Sequence, residues 1–257
     1  METKQFKSLL LLVLTASLAA CSAGNSTPAV RGSSSTALGS RQAKLHLASS
    51  SSAFVDLRSA STYAIIAGST VTNTGPTSIT GNVGIFPGTA ITGFLPGVIN
   101  GDLHAADPTA QQAKLDLGTA YQDAMGRVDN PILLAGNLGG QTLSPGLYKS
   151  TSSLEVSSGD LTLDGGGDAN AVYVFQMAST FNMTTGRRVI LTNGARAANI
   201  FWAVGSSATF GTGCSFYGNL LVYASISMAT GTVMEGRALT QVGAVTMQSN
   251  TIVVPSP

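Results

Sequence analysis

Charged side chains are scarce in this chain: Asp, Glu, Lys and Arg make up only 10% of its 257 residues, against about a quarter in an ordinary globular protein. The formal net charge is +1, so the sequence carries no basic footprint for nucleic acid. There are only 2 histidines and 2 cysteines. Neither histidine is near Cys214 in sequence, which argues against a thiol enzyme and for a small residue tolerated in the fold. Apolar runs long enough to span a bilayer are also missing, because the longest, Leu9 to Leu18, is too short for a membrane helix. What the chain does have is 44% hydrophobic residues, enough for a large core, and 30 glycines without collagen periodicity, enough for many tight turns. With so few charges, its surface depends on hydroxyls and amides for solubility.

The first residues read as an address. Lys4 and Lys7 precede the apolar run, and Leu18-Ala19-Ala20-Cys21 resembles a bacterial lipobox. Residues 1–20 are therefore expected to be a lipoprotein signal peptide. Cys21 is then the lipidated residue, and the lipid anchors the chain to a membrane. Ser22, rather than Asp, favours outer-membrane sorting in a Gram-negative cell. The alternative is an ordinary secretory signal in which Cys21 is incidental. If Cys21 is acylated, Cys214 has no partner and no internal disulfide can form, even in an oxidising compartment. Residues 22–52 hold ten serines in 31 positions. With Cys21 they read as a tether (residues 21–52) with a random-coil reach of roughly 30 Å. Residues 53–257 form the expected folded domain.

Within that domain one pattern recurs: an apolar anchor, a spacer, Ser or Thr, then Gly or Asn. It reads Val156-Ser157-Ser158-Gly159, Met183-Thr184-Thr185-Gly186, Phe210-Gly211-Thr212-Gly213, Met228-Ala229-Thr230-Gly231 and Met247-Gln248-Ser249-Asn250, with anchors 27, 27, 18 and 19 residues apart. A period near eighteen with glycine corners suits one coil of a β-solenoid, whose coils bury their apolar faces only by stacking. Short strands also fit Tyr63-Ala64-Ile65-Ile66-Ala67 and the alternation through Ile79, Val83, Ile85 and Ile91. Ala171-Val172-Tyr173-Val174-Phe175 is continuous enough to be buried on both faces.

One segment has helical spacing. Asp107-Pro108 supplies an N-cap and a proline at the first helical position. Ala113, Leu117, Ala120, Tyr121 and Ala124 then share a face, and Gly126 ends the run. The spacing predicts a helix over 108–126, packed on a β surface, with Gln111, Asp116, Gln122 and Asp123 on a solvated outer face.

Period-two alternation makes Phe210, Met228 and Met247 point inward and Thr209, Ser227 and Thr246 outward. A second possible ladder, around the following corner, contains Ser158, Thr185, Thr212, Thr230 and Ser249. Two positions beyond it lie Asp160, Arg187, Cys214, Thr232 and Thr251. A corner at the glycine breaks the alternation, so which ladder is outermost stays open. Candidate surface residues are therefore Thr185, Thr209, Thr212, Ser227, Thr230, Thr232, Thr246, Ser249 and Thr251. Threonine is also simply a good strand residue. A rigid hydroxyl-and-methyl array, however, can order water at regular spacing and match a periodic solid.

Residues 62–254 resemble the microbial ice-binding protein family. The resemblance rests on Ala67-Gly68-Ser69-Thr70-Val71-Thr72-Asn73-Thr74-Gly75, Thr89-Ala90-Ile91-Thr92-Gly93, Leu138-Gly139-Gly140-Gln141-Thr142-Leu143, Asn170-Ala171-Val172-Tyr173-Val174-Phe175-Gln176 and Gly205-Ser206-Ser207-Ala208-Thr209, in that order. It implies a mainly β fold, a right-handed β-solenoid with one long helix alongside. It also implies adsorption to an ice crystal surface through one flat face, with no cofactor and no catalysis. The family's ice face often carries Thr-(Ala/Gly)-x-(Thr/Asn). Thr89-Ala90-Ile91-Thr92 fits fully but lies outside the regular coils; Thr230-Gly231-Thr232-Val233 and Thr212-Gly213-Cys214-Ser215 fit in part. Thr185-Gly186-Arg187-Arg188 departs from it, with two guanidinium groups set to interrupt the array, so weak or moderate activity is expected.

Other signals are thin. Leu163-Asp164-Gly165-Gly166-Gly167-Asp168 resembles a single calcium-binding β-roll repeat, and one copy reads as a glycine-rich turn. Asp102 and His104 read as a polar loop pair, and Asp160 and Arg187 are too few for a polysaccharide lyase. The sequence thus points to a monomeric, surface-anchored or secreted ice-binding solenoid. A non-catalytic adhesin or glycan-binding solenoid is the rival, and a carbohydrate-active β-helix enzyme the next.

Overall fold

The computed structural model describes residues 53–256. The signal-peptide, Cys21 and tether readings, and His46, fall outside the described residues. Among these residues, short parallel strands stack into sheets of twelve, eight and three strands. The strands are short because glycine and proline close them every few residues, and each coil turns to the next face there.

Alternation sets the inner core. Val71, Val245, Ile226, Met228, Phe210, Phe181 and Leu154 all point inside the coil and are buried. Aromatic rings line up along the solenoid axis: Tyr148 stacks on Phe175 at 5.1 Å between centroids and Phe175 on Trp202 at 4.0 Å, and Phe216 lies tilted against Trp202 at 5.5 Å. The indole N–H of Trp202 donates to the Tyr217 carbonyl at 3.1 Å, so its one polar group is not stranded. That carbonyl is reached because Gly218, at φ 121°, leaves room: a Cβ there would stand 2.8 Å from the indole nitrogen.

A second core lies between the twelve-stranded sheet and the helix α1 (Pro108–Gly126). The strands Tyr63–Ala67, Tyr173–Met177 and Ile200–Val204 are buried at all five positions. One side of each strand faces the solenoid core and the other faces α1, so these strands are apolar except at Gln176, whose amide donates to the Ala124 and Arg127 carbonyls at 2.8 and 2.9 Å. The helix begins as its sequence predicts. The Asp107 carboxylate accepts the Ala110 N–H at 2.7 Å, and Ala113, Leu117, Ala120 and Ala124 face the sheet.

Asp116 differs from expectation. It is buried rather than solvated, because the 3₁₀ segment Arg58–Thr62 folds over it. Its carboxylate accepts the Ser59 hydroxyl at 2.5 Å and lies 3.7 Å from Arg58. The Ser59 hydrogen bond holds its pKa below the usual carboxylate range.

The coils do not stack in chain order. The first coils, through Leu103–Ala105, sit at one end, and α1 then carries the chain to Ile132–Leu133 at the other. Eight strand spacings separate those two strands in the sheet, about 38 Å at 4.8 Å each. A helix of 19 residues covers about 28 Å of that. Later coils work back until the last one stacks on the first: Val71 pairs with Val245, and Ile65 with Ala238.

Candidate functional site

Each coil has three outer faces, and they offer different surfaces. The first is covered by α1. The second is built from Thr142–Leu143, Leu161–Asp164 and Val189–Thr192, continued by the first halves of Ser215–Val222 and Val233–Thr240 and by Thr251–Val253, Ser78–Thr80 and Val98–Asn100. Its outward row mixes Thr162, Ile190, Tyr217, Glu235, Val253, Thr80 and Asn100, uneven in size and charge.

The third face is the eight-stranded sheet, and nothing among the described residues covers it. Its strands run, in stacking order, Ala90–Thr92, Thr70–Thr74, Val245–Gln248, Ile226–Met228, Ala208–Phe210, Phe181–Met183, Leu154–Val156 and Gly136–Asn137. The register is unshifted along one outward row: Thr92, Thr72, Thr246, Ser227, Thr209, Asn182, Glu155 and Asn137. Seven spacings make this row about 34 Å long. The first five rungs, Thr92 to Thr209, all carry hydroxyls. At the other end the Glu155 carboxylate is the row's one charge, and it accepts the Ser157 hydroxyl at 2.7 Å.

Two rows flank it, one about 7 Å away, two residues earlier along the strand, the other two or three residues later, where the strands end at the corner. On one side stand Thr70, Ser225, Ser207, Thr180 and Ser153, half-buried. Their hydroxyls partly tie rung to rung: Ser225 Oγ accepts the Ala244 N–H at 3.2 Å, and Thr180 donates to Ser153 Oγ at 2.8 Å. On the other side, at the corner, Thr74, Gln248, Thr230, Thr212, Thr185 and Ser158 are exposed, with Thr230 donating to Gln248 Oε1 at 2.6 Å.

The candidates from the sequence therefore divide. Thr209, Ser227 and Thr246 occupy the central row, and Thr185, Thr212 and Thr230 the corner row. Thr232 is a correction: it is fully buried, and its hydroxyl donates to the Gly211 and Ala229 carbonyls at 3.1 Å each. Gly231, at φ 75°, reverses the alternation so that Thr230 and Thr232 no longer share a side. Thr251 is a second correction. It pairs with Val233 and Ser78 on the mixed face, and the counterpart of Thr232 in the last coil is the buried Asn250. The last corner is one residue shorter than the one before it, since Ser227 pairs with Thr246 but Met234 with Ile252. For the same reason Ser249 leans over Gly75 while Gln248 takes the corner position.

Sequence reasoning missed Thr72 and Thr92, which extend the central row by two rungs. Thr89-Ala90-Ile91-Thr92, set aside as lying outside the regular coils, contains the edge rung of this sheet. The arginines do not interrupt the row: Arg188 bridges to Ser215 on the mixed face, and Arg187 lies at the corner with its Nε buried.

The remaining polar groups are tied into structure. Cys214 is buried, its thiol donating to the Thr184 carbonyl at 3.2 Å, and burial pushes its pKa up. Asp164 accepts the Gly166 N–H and the Asn193 amide, both at 2.9 Å, which closes the glycine-rich turn. His104 lies on a strand rather than in a loop, and its Nδ1 is 2.7 Å from Asp107, not paired with Asp102. Among the described residues no three His, Cys, Asp or Glu side chains gather to hold a metal ion.

Comparisons with known proteins agree on one neighbourhood. The profile of a family described as Ice-binding-like matches residues 65–253. An ice-binding protein of Nostoc sp. (strain HG1) is 45% identical over 197 residues, 76% of this chain and 72% of that protein. The crystal structure of an ice binding protein from an Antarctic biological consortium superposes with a TM-score of 0.79 at 55% identity, covering 80% of this chain and 93% of the other. That of an ice-binding protein from the Antarctic ascomycete Antarctomyces psychrotrophicus gives 0.77 at 42% identity, covering 80% and 100%.

Proposed function

The chain belongs to the ice-binding-like family, and on that premise we propose that it adsorbs to ice through the outer surface of the eight-stranded sheet, centred on Thr92, Thr72, Thr246, Ser227 and Thr209. The observation that carries this is the unshifted register of five consecutive hydroxyl rungs on the uncovered sheet. Threonine suits the task because its branched Cβ restricts χ1, so methyl and hydroxyl are held in place at little entropic cost. Rungs about 4.8 Å apart, with the strand-borne flanking row about 7 Å from the central one, form a two-dimensional grid on which water can order. Each hydrogen bond is worth about 0.5–1.5 kcal/mol net, so five rungs sum to several kcal/mol. Adsorbed molecules then block growth or recrystallisation at the surface they occupy.

We read the protein as non-catalytic and monomeric. The acids that resembled a site, Asp164 among them, serve turns, and the one described thiol is buried. For the leader we retain the lipoprotein reading, with Cys21 acylated and residues 22–52 holding the head clear of a membrane; metabolic labelling with a fatty acid, lost in Cys21→Ala, tests it. Ice-affinity partitioning tests the main reading. The mature chain should enter slowly growing ice and inhibit recrystallisation, and its exclusion from the ice would refute the assignment.

A further inference from the structure

Arg237 is buried, only 8% exposed, on the strand Val233–Thr240, where the mixed face meets the helix-covered face. Its Nε donates to the Ser61 carbonyl at 2.8 Å and its Nη1 to Asn219 Oδ1 at 2.6 Å. Asn219 is itself locked, its amide donating to the Ala198 and Ile200 carbonyls. All these acceptors are neutral. Among the described residues no carboxylate lies within ion-pair distance of Arg237, and burial pulls its pKa down to about 10. Outside them, the one acidic side chain in the whole sequence is Glu2.

A guanidinium offers five N–H donors, and those of Nη2 have no acceptor among the described residues. The group lines an open cleft of about 390 Å³ whose other walls include Phe54, Leu57, Asn199 and Pro255. Asp56 also borders it, but its carboxylate is largely solvated and 3.9 Å from Arg58. A buried cation without a counter-ion, facing an apolar cleft of ligand size, is an arrangement completed by an anion with an apolar body.

We propose that this cleft binds a small carboxylate bearing a ring or short alkyl group, the carboxylate on Arg237 and the apolar part against Phe54, Leu57 and Pro255. The site is separate from the eight-stranded sheet and does not depend on the ice reading. The test is an NMR titration of the full mature chain with sodium benzoate and, in parallel, with neutral benzyl alcohol. Benzoate should give saturable shifts at Phe54, Leu57, Ser61 and Asn199, with benzyl alcohol at least about tenfold weaker.

Arg237→Met should lose benzoate binding by a similar factor while leaving recrystallisation inhibition unchanged. Equal affinity for the two probes, no saturable shift, or undiminished binding in folded R237M would overturn the proposal. If R237M does not fold, the comparison of the two probes on the natural chain decides. Benzoate binding that appears only when extra residues follow Pro257 would place the chain's own end in the cleft and also overturn it.

Discussion

Replacing Ser227 by Tyr attacks the middle of the hydroxyl row. Ser227 is exposed and pairs with Thr209 on one side and Thr246 on the other. A tyrosine ring stands about 4 Å prouder than a hydroxymethyl group, more than a hydrogen-bond length. With rungs about 4.8 Å apart, the ring lifts ice from its own rung and from both neighbours. Three contacts at about 0.5–1.5 kcal/mol each amount to about 1.5–4.5 kcal/mol, a tenfold loss or more in effective concentration. The assay is the lowest concentration that arrests ice recrystallisation, measured beside a thermal melt. Stability should change by no more than about 0.5 kcal/mol, because the site is on the surface. Val233→Tyr, on the mixed face, is the control and should change nothing. Full activity in S227Y together with lost activity in V233Y would show that the wrong face has been assigned.

Three further outcomes follow from the same geometry. Glu155→Thr removes the charge from the central row and lengthens its hydroxyl content, so recrystallisation inhibition should improve by a few-fold; a decrease would mean that the Glu155 end of the sheet already contributes. Thr232→Val strands the Gly211 carbonyl at the corner, while the Ala229 carbonyl keeps the Asn250 amide at 2.8 Å. It should cost about 1–3 kcal/mol, a melting point lower by several degrees, with ice activity intact below the melt. Lys114 is a half-buried cation on α1 that donates to the Thr240 and Gln241 carbonyls, and burial lowers its pKa from 10.5 to about 8. Between those values the unfolded chain binds more protons than the folded one, so stability rises with pH across the interval. Tyr63, pushed up to about 12 by burial, acts in the opposite sense above about pH 10, where the unfolded phenol ionises first. Denaturant melts from pH 7 to 10 should therefore show increasing stability in the natural chain and a flatter profile in Lys114→Met.

Much of the architecture was legible because local rules act over a few residues. The Asp107 cap, the proline after it and the apolar spacing define α1 to the residue. The alternation of Phe210 with Thr209, and of Met228 with Ser227, already separates inside from outside. The apolar run over residues 171–175 announces a strand enclosed on both sides, which the structure places at Tyr173–Met177. The corners were not legible. There a single residue of length, or one glycine at positive φ, decides whether a threonine such as Thr232 is core or surface, and period-two counting loses its phase.

The amino-acid order by itself determined a stacked β architecture, one capped helix and a surface of hydroxyls rather than charges, because strand alternation, capping and composition are local properties. Only the tertiary structure decided which hydroxyls share a row. Thr72 and Thr246 lie at opposite ends of the domain's sequence and become neighbours because α1 carries the chain to the far end of the solenoid, so that the last coil closes onto the first.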